Sequence, residues 1–154
     1  MKLSYKICLL LSLFLIGCNS ENKLYVLKEK TKDTGVFEVL SPSGQPYNFN
    51  DFQLRVPETI GEKQVLSAND FNDFRFQYRE NQNRWFIIMN LNADGQKKIQ
   101  YHTKKLGFGK LAVVFGGINV ASPGFQVELK TESLTSPIPS ENFEQVKRLF
   151  QRKK

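Results

Sequence analysis

Apolar and polar positions alternate in several stretches of this chain, and the alternation predicts β-strands. Between Phe74 and Arg79, aromatic residues alternate with arginine and glutamine, which places the rings on one face of a half-buried strand. A polar turn over residues 80–83 and an apolar run from Trp85 to Leu91 complete a predicted hairpin. Residues 24–40 predict one or two further strands, and the alternation over residues 125–129 predicts another.

A period of three to four residues replaces the alternation between Asn92 and Leu106. Small or apolar positions and one histidine recur on one line, while the lysines lie mostly off it, as in an amphipathic helix. Asn92 is a suitable N-cap for that helix. Asp94-Gly95 is also a hairpin-turn signal, but the stripe that continues to Leu106 favours a helix. The stripe consists of Gly95, Ile99, His102 and Leu106.

Short apolar runs and turn residues organise the rest of the chain. Residues 111–115 predict a strand, Gly116-Gly117 a two-residue turn, and Ile118 the start of the return strand. Ser140 is predicted to cap a last helix. That helix would turn four apolar side chains inward, those of Phe143, Val146, Leu149 and Phe150. The order of strands, helix, strands and helix predicts a single α+β domain, with an antiparallel or mixed sheet packed by two helices.

The first eighteen residues have the layout of an export signal. Lys2 and Lys6 precede an apolar stretch, and the segment ends in Leu15-Ile16-Gly17-Cys18. This LIGC segment resembles the lipobox of bacterial lipoproteins, in which the cysteine is acylated and becomes the first residue after cleavage. The resemblance implies a signal peptide over residues 1–17, lipidation of Cys18 and a lipidated tether over residues 18–23. A secretory signal with an incidental cysteine and an uncleaved membrane anchor are the two alternatives.

The tether also predicts where the protein resides. Cys8 lies within the signal and Cys18 would carry lipid, so an intrachain disulfide is not expected. The tether is short enough to keep the folded body within about 20 Å of the lipid surface. Asn19 and Ser20 stand where an aspartate would resemble an inner-membrane retention signal. We therefore expect a cell-envelope location, with the outer membrane favoured in a two-membrane bacterium and the body facing the periplasm.

Composition and charge narrow the range of partners. The chain of 154 residues is 40% hydrophobic and 24% charged, which is ordinary for a globular protein and excludes a collagen, a disordered tail or a multi-spanning transporter. Without Lys2 and Lys6, the chain has 20 basic and 15 acidic side chains, which gives a formal charge of +5. Much of the excess lies in residues 147–154, where it suits the end of a helix or the surface of anionic lipid. Nucleic-acid binding would require basic residues interleaved with exposed aromatic residues, and the sequence does not show that pattern.

The reactive side chains do not form a recognisable catalytic pattern. His102 is the only histidine and lies on the apolar stripe of the predicted helix, so we expect it in the core or at its boundary. Residues 107–110, Gly-Phe-Gly-Lys, lack the spacing of a phosphate-binding loop. Two pairs of acids lie three residues apart, Asp70 with Asp73 and Glu141 with Glu144; we expect both pairs to be solvated. Catalytic, metal and cofactor sites are therefore not expected.

Four segments carry a resemblance to a known family. They are VLSANDFNDFRFQ from Val65, FIIMNLNADGQKKIQYHT from Phe86, KLAVVFGGINVASPGF from Lys110 and IPSENFEQVKRLF from Ile138. In order and spacing they resemble the head subdomain of the first periplasmic domain of SecD and SecDF, over residues 62–152. Ser140 stands where the family has glycine, and the strand-rich segment 24–61 matches loosely. The organisation predicted is thus segment 24–61 followed by a SecD-head-like α+β region over residues 62–154.

The resemblance implies a function in protein export. In the translocase this domain is thought to engage emerging, unfolded polypeptide, while proton coupling uses membrane helices that are not found in this sequence. We therefore expect a non-enzymatic lipoprotein that binds protein, including extended or newly exported chains, through features such as a strand edge. The alternative is a scaffold or accessory subunit that docks on one folded envelope protein. A third class is an envelope hydrolase or ligand carrier, which would need a cleft around His102 with acids converging on it.

Overall fold

Two antiparallel β-sheets and two helices make up the described part of the chain. The computed structural model describes residues 23–40, 59–106, 111–120, 128–129 and 132–154. The helices are α1 (Ala93–Leu106) and α2 (Phe143–Lys147). The strands are β1 (Tyr25–Leu27), β2 (Gly35–Leu40), β3 (Thr59–Ser67), β4 (Phe71–Arg79), β5 (Arg84–Leu91), β6 (Leu111–Phe115), β7 (Ile118–Asn119), β8 (Glu128–Leu129), β9 (Ser133–Ile138) and β10 (Phe150–Arg152).

The larger sheet has six strands in the order β10-β1-β4-β5-β9-β8. Its centre is the predicted hairpin, in which Phe74, Phe76 and Tyr78 of β4 lie opposite residues of β5 that share their face. Phe74 and Phe76 are buried while Arg75 is exposed, so the predicted half-buried strand is confirmed. The polar turn is a single 3-10 turn, Glu80–Gln82, closed by Asn83 in the left-handed conformation.

The smaller sheet has four strands in the order β3-β2-β6-β7. Its last two strands form the predicted hairpin around Gly116 and Gly117, whose φ angles are 54° and 79°. A two-residue hairpin turn of this kind needs positive φ at both positions, which glycine adopts without steric cost. The turn is held against the loop before β2, because Gly116 N donates to Thr34 Oγ1 at 2.9 Å and Gly117 N to Asp33 O at 3.2 Å.

The α+β class predicted from the sequence is confirmed, but the single predicted sheet is wrong. The periodicity of a strand identifies its buried face and not its partner. Between β3 and β4, the 3-10 turn Ala68–Asp70 leads the chain from the four-stranded sheet into the six-stranded one. The predicted boundary between residues 61 and 62 falls inside β3, and β1 and β2 pair with strands from beyond it.

Helix α1 confirms the predicted change of period. Asn92 is its N-cap, since Asn92 Oδ1 accepts a hydrogen bond from Gly95 N at 2.9 Å. Gly95, Ile99 and His102 are buried along the predicted stripe. Tyr101, on another face of the helix, is 67% exposed.

The segment after β9 differs from the prediction. Ser140 opens a 3-10 turn rather than capping an α-helix, and α2 runs only from Phe143 to Lys147. Phe143, Val146 and Phe150 are buried as expected, but Phe150 begins β10. It leaves the helical pattern because β10 pairs with β1 and its ring meets three core rings edge to face, those of Phe74, Phe76 and Phe115.

One hydrophobic core takes side chains from both sheets and both helices. Burying a phenylalanine or leucine side chain stabilises a fold by roughly 1.5–3 kcal/mol, and edge-to-face ring pairs add about 0.5–1.5 kcal/mol each. This core therefore fixes how the two sheets pack. The predicted strand over residues 125–129 is described only at β8, and residues 121–127 lie outside the described part.

Neither of the described helices has both the length and the apolar character needed to cross a bilayer.

Candidate functional site

The carboxylate of Asp70 joins the β3–β4 turn to helix α1. It accepts hydrogen bonds from Ser67 N at 2.7 Å and Ser67 Oγ at 2.9 Å, and from Lys98 Nζ at 2.8 and 2.9 Å. Burial by itself would raise the pKa of Asp70, but these hydrogen bonds and the charge of Lys98 outweigh it and lower the pKa below its ordinary value. Asp70 is thus held as a carboxylate and is not poised to donate a proton.

Asp73 forms a second cluster on β4. It accepts from Asn90 Nδ2 at 2.5 Å and from Lys153 Nζ at 2.9 Å. Burial opposes ionisation here too, yet the Asn90 and Lys153 hydrogen bonds, with the charges of Lys153 and Arg75, lower the pKa of Asp73. The expectation that Asp70 and Asp73 are solvated is therefore wrong, since their residues are only 3% and 9% exposed. Each has its own lysine, and the two do not form an acid–base pair.

A third cluster, absent from the sequence predictions, surrounds Glu38 of β2. Glu38 Oε1 lies 2.7 Å from Lys63 Nζ and 3.6 Å from His102 Nδ1. His102 is buried as predicted. Burial lowers the pKa of His102; Glu38 opposes this and Lys63 adds to it, so that the imidazole is neutral more readily than in water. The sequence could have indicated that Glu38 faces inward, because it lies two residues after Val36 on a strand and therefore shares its face.

Of these three clusters, only the one around Glu38 brings a histidine and a carboxylate together. Acid–base chemistry at neutral pH needs titratable groups whose pKa values are pushed apart at one place. Here one histidine meets one carboxylate that a lysine already contacts. Glu141 and Glu144 are exposed, as predicted. Cys18 and residues 107–110 lie outside the described residues.

Among the described strands, β3 lies at the edge of the four-stranded sheet, over nine residues. Its pairing with β2 is irregular: Val39 is opposite Ile60 and Phe37 is opposite Gln64. One residue of β2 therefore faces three of β3, which makes the edge strand bulge. Ile60 is 38% exposed, and in the described part of the chain only Tyr101 is a more exposed large apolar residue.

A second surface lies where the β4–β5 hairpin turns. Tyr78 and Trp85 are half-buried, with ring centroids 5.4 Å apart, and Trp85 stacks on Phe143 at 4.4 Å. Lys147 Nζ lies 5.3 Å from the Phe143 ring centroid. On the opposite face of the sheet, Arg79 Cζ lies 4.0 Å from the ring centroid of the buried Phe86. Aromatic rings flanked by cations are typical of contact surfaces rather than of reaction centres.

Within the described ranges, no group of three or more histidine, cysteine, aspartate or glutamate side chains is arranged to hold a metal ion. Comparison of the chain with protein-family models, curated proteins and solved structures finds no match.

Proposed function

We propose that this protein is a lipid-anchored protein of the bacterial cell envelope whose α+β domain binds other polypeptides without catalysing a reaction on them. The anchor would be an acylated Cys18, on the strength of the LIGC segment behind an apolar signal. The bound polypeptides would be extended or newly exported chains. The observation that carries the proposal is the nine-residue edge strand β3 with its exposed Ile60.

An edge strand can bind chains of many sequences because the contacts are made by the main chain. An extended segment adds to the sheet through backbone hydrogen bonds, and pockets or apolar side chains beside the edge add affinity. Ile60 supplies such a side chain at one end of β3. A protein that handles many exported chains needs this tolerance of sequence.

The bulges of β3 limit how long a regular pairing can be. Three residues, Gly61–Lys63, face one residue of β2, so regular geometry is restricted to the ends of the strand. Bulges and charged side chains on an edge also prevent copies of one protein from joining edge to edge. The proposed contact is therefore short and readily released, which suits transient holding of a passing chain.

The charge clusters support a binding function over an enzymatic one. Asp70, Asp73 and Glu38 each contact a lysine, and each cluster bridges separate elements of the fold. Their chemistry is that of structural ties.

The four sequence segments that resemble the SecD head subdomain favour the same function and a related fold. The described residues of these segments belong mostly to the β4–β5 hairpin, α1, the β6–β7 hairpin and α2. The resemblance rests on those sequence motifs.

A scaffold that docks on one folded envelope protein is the second candidate. The irregular shape of β3 and its charged Glu62 and Lys63 favour it, because a surface that is bulged and charged fits one complementary partner better than many. A crosslinked pulldown that recovers one stoichiometric partner would select this candidate over broad client binding.

Hydrogen exchange tests the proposal. The acylated protein, purified from membranes, is incubated with a panel of unfolded exported polypeptides, and amide exchange is measured along the chain. We expect slower exchange within residues 59–67 and a weaker effect in Ile60→Asp. Tyr101→Asp is the matched control, because Tyr101 is exposed on α1, and it should retain the protection. No protection at high micromolar polypeptide would contradict the proposal.

A further inference from the structure

The chain enters the six-stranded sheet at the end where the β4–β5 hairpin turns. Tyr25 is paired with Phe74, and β1 is antiparallel to β4, so the residues before Tyr25 extend toward Tyr78. Tyr25 is also paired with Arg152, and Lys153 N donates to Leu24 O at 2.8 Å. The residues after Arg152 therefore point the same way. We call this end of the sheet the entry end. It is formed by Lys23 and by residues 78–85, 140–148 and 152–154.

The length of the tether places the entry end beside the proposed anchor. Lys23 is level with Phe76, and the turn Glu80–Gln82 lies four to six residues further on, roughly 13–20 Å at 3.3 Å per residue. The five steps from Cys18 to Lys23 span at most about 18 Å. The hairpin turn can thus reach the lipid in which an acylated Cys18 is embedded.

The charge of the entry end suits a negatively charged surface. Eight basic residues lie there in the described part of the chain, against three acidic ones, Glu80, Glu141 and Glu144. The basic residues are Lys23, Arg79, Arg84, Lys147, Arg148, Arg152, Lys153 and Lys154. Anionic headgroups attract lysine and arginine near a membrane surface.

The aromatic residues at the same end suit a lipid interface in particular. Tyr78 and Trp85 are half-buried neighbours, and the Tyr78 hydroxyl donates a hydrogen bond to the Asn83 side-chain oxygen. Tyrosine and tryptophan, apolar rings with a polar atom, are enriched at the headgroup level of membranes. Cations alone would fit many acidic partners, whereas cations and half-exposed rings beside a short acyl tether favour a bilayer.

From these observations we infer that the entry end is a lipid-facing surface that docks on anionic headgroups and acts as a second membrane contact beside Cys18. The inference rests on the proposed acyl anchor. Acyl chains and a basic surface together hold a protein more stably than either alone. Docking also fixes the orientation of the body, with the entry end against the lipid.

The single tryptophan of the chain, Trp85, reports this contact directly. The acylated full-length protein is reconstituted into vesicles of phosphatidylcholine alone or with phosphatidylglycerol, with a nitroxide quencher at the headgroup. We expect stronger quenching of Trp85 with phosphatidylglycerol and its reversal by high salt. A titration with phosphatidylglycerol gives the equilibrium constant for docking. This constant should fall about fivefold for each cation removed, as in Arg152→Gln/Lys154→Gln.

A matched variant and a flotation assay separate the outcomes. Lys97→Gln/Lys104→Gln removes two exposed charges from α1, and its Trp85 should be quenched as strongly as in the unmodified sequence. Near-UV circular dichroism verifies that both variants fold. Protein that does not float with vesicles would contradict the acyl anchor itself. Protein that floats but shows equal or no quenching in both lipids would overturn the docking inference alone. Quenching that persists unchanged in Arg152→Gln/Lys154→Gln would also overturn it, as would protection of Trp85 only by an added protein partner.

Discussion

At the scale of single residues, buried carboxylates tie the elements of this fold together. Asp70 is bound by Ser67 and by Lys98 of α1, so it links the start of β4 to the helix that follows β5. A buried charge is tolerated when a partner and hydrogen bonds compensate its loss of hydration. Sequence spacing did not reveal this, because residues three apart across a turn and a strand give no regular face.

Replacing Asp70 tests whether its cluster is structural. Asp70→Asn should lower the free energy of unfolding by about 1–3 kcal/mol, because Lys98 and Ser67 lose a charged acceptor. Asp94→Asn is the control: its pair with Lys97 is 3.8 Å long and more than three-quarters exposed, so its loss should cost less than about 1 kcal/mol. Urea denaturation at neutral pH measures both. Equal losses would show that burial of Asp70 contributes nothing.

The same cluster predicts behaviour in acid. The pKa of Asp70 in the folded protein is below the ordinary 3.8, so the unfolded chain takes up a proton first as the pH falls. The stabilisation by Asp70 is present above about pH 3.8 and is lost as the pH falls through the folded pKa. The stability difference between Asp70→Asn and the unmodified sequence should therefore shrink in that range.

His102 predicts a separate loss of stability at milder pH. Its pKa is lowered from 6.5, chiefly by burial, with Glu38 and Lys63 facing the ring. The unfolded chain binds a proton more readily than the folded one, so stability falls as the pH drops below about 6.5 toward the folded pKa. Because His102 is the only histidine, His102→Gln should remove most of the change between pH 7.5 and 5.5. Parallel losses of unfolding free energy in both proteins would contradict this.

At the scale of elements, regular patterns were predictable and partners were not. The β4–β5 hairpin, helix α1 and the Gly116-Gly117 turn follow from periods and turn residues within short stretches of sequence. The assignment of β3 and β4 to different sheets, and the pairing of β10 with β1, depend on contacts between distant parts of the chain. Phe150 illustrates this: its apolar character predicted burial, while its strand conformation comes from β1.

Gly95 is where helix α1 approaches the β3–β4 turn most closely. A Cβ atom at Gly95 would lie 2.4 Å from Asp70 O and 3.1 Å from Asp70 Cβ. In an exposed helix, alanine is better than glycine by about 1 kcal/mol, but here the overlap should reverse the sign and destabilise by about 1–3 kcal/mol. Gln100→Ala, exposed on the same helix, should change stability by less than about 0.5 kcal/mol. A higher midpoint temperature of thermal unfolding in Gly95→Ala than in the unmodified sequence would contradict the close packing.

At the scale of the whole molecule, sequence and structure contribute different parts of the proposal. The anchor at Cys18 is proposed from the sequence alone. The entry end and the edge strand emerge only when strands far apart in sequence are paired; Lys23 and Lys154, for example, meet through the pairing of β1 with β10. On this account the entry end faces lipid, and β3 belongs to the other sheet, where it can receive a polypeptide.

Site-specific photocrosslinking in living cells shows directly whether β3 binds exported polypeptides. A photoreactive amino acid is placed at position 60 on the edge of β3 and, as the control, at position 101 on α1. We expect a broad series of crosslinked exported polypeptides from position 60 and far fewer from position 101. Equal yields from the two positions, or no polypeptide adducts from position 60, would contradict it.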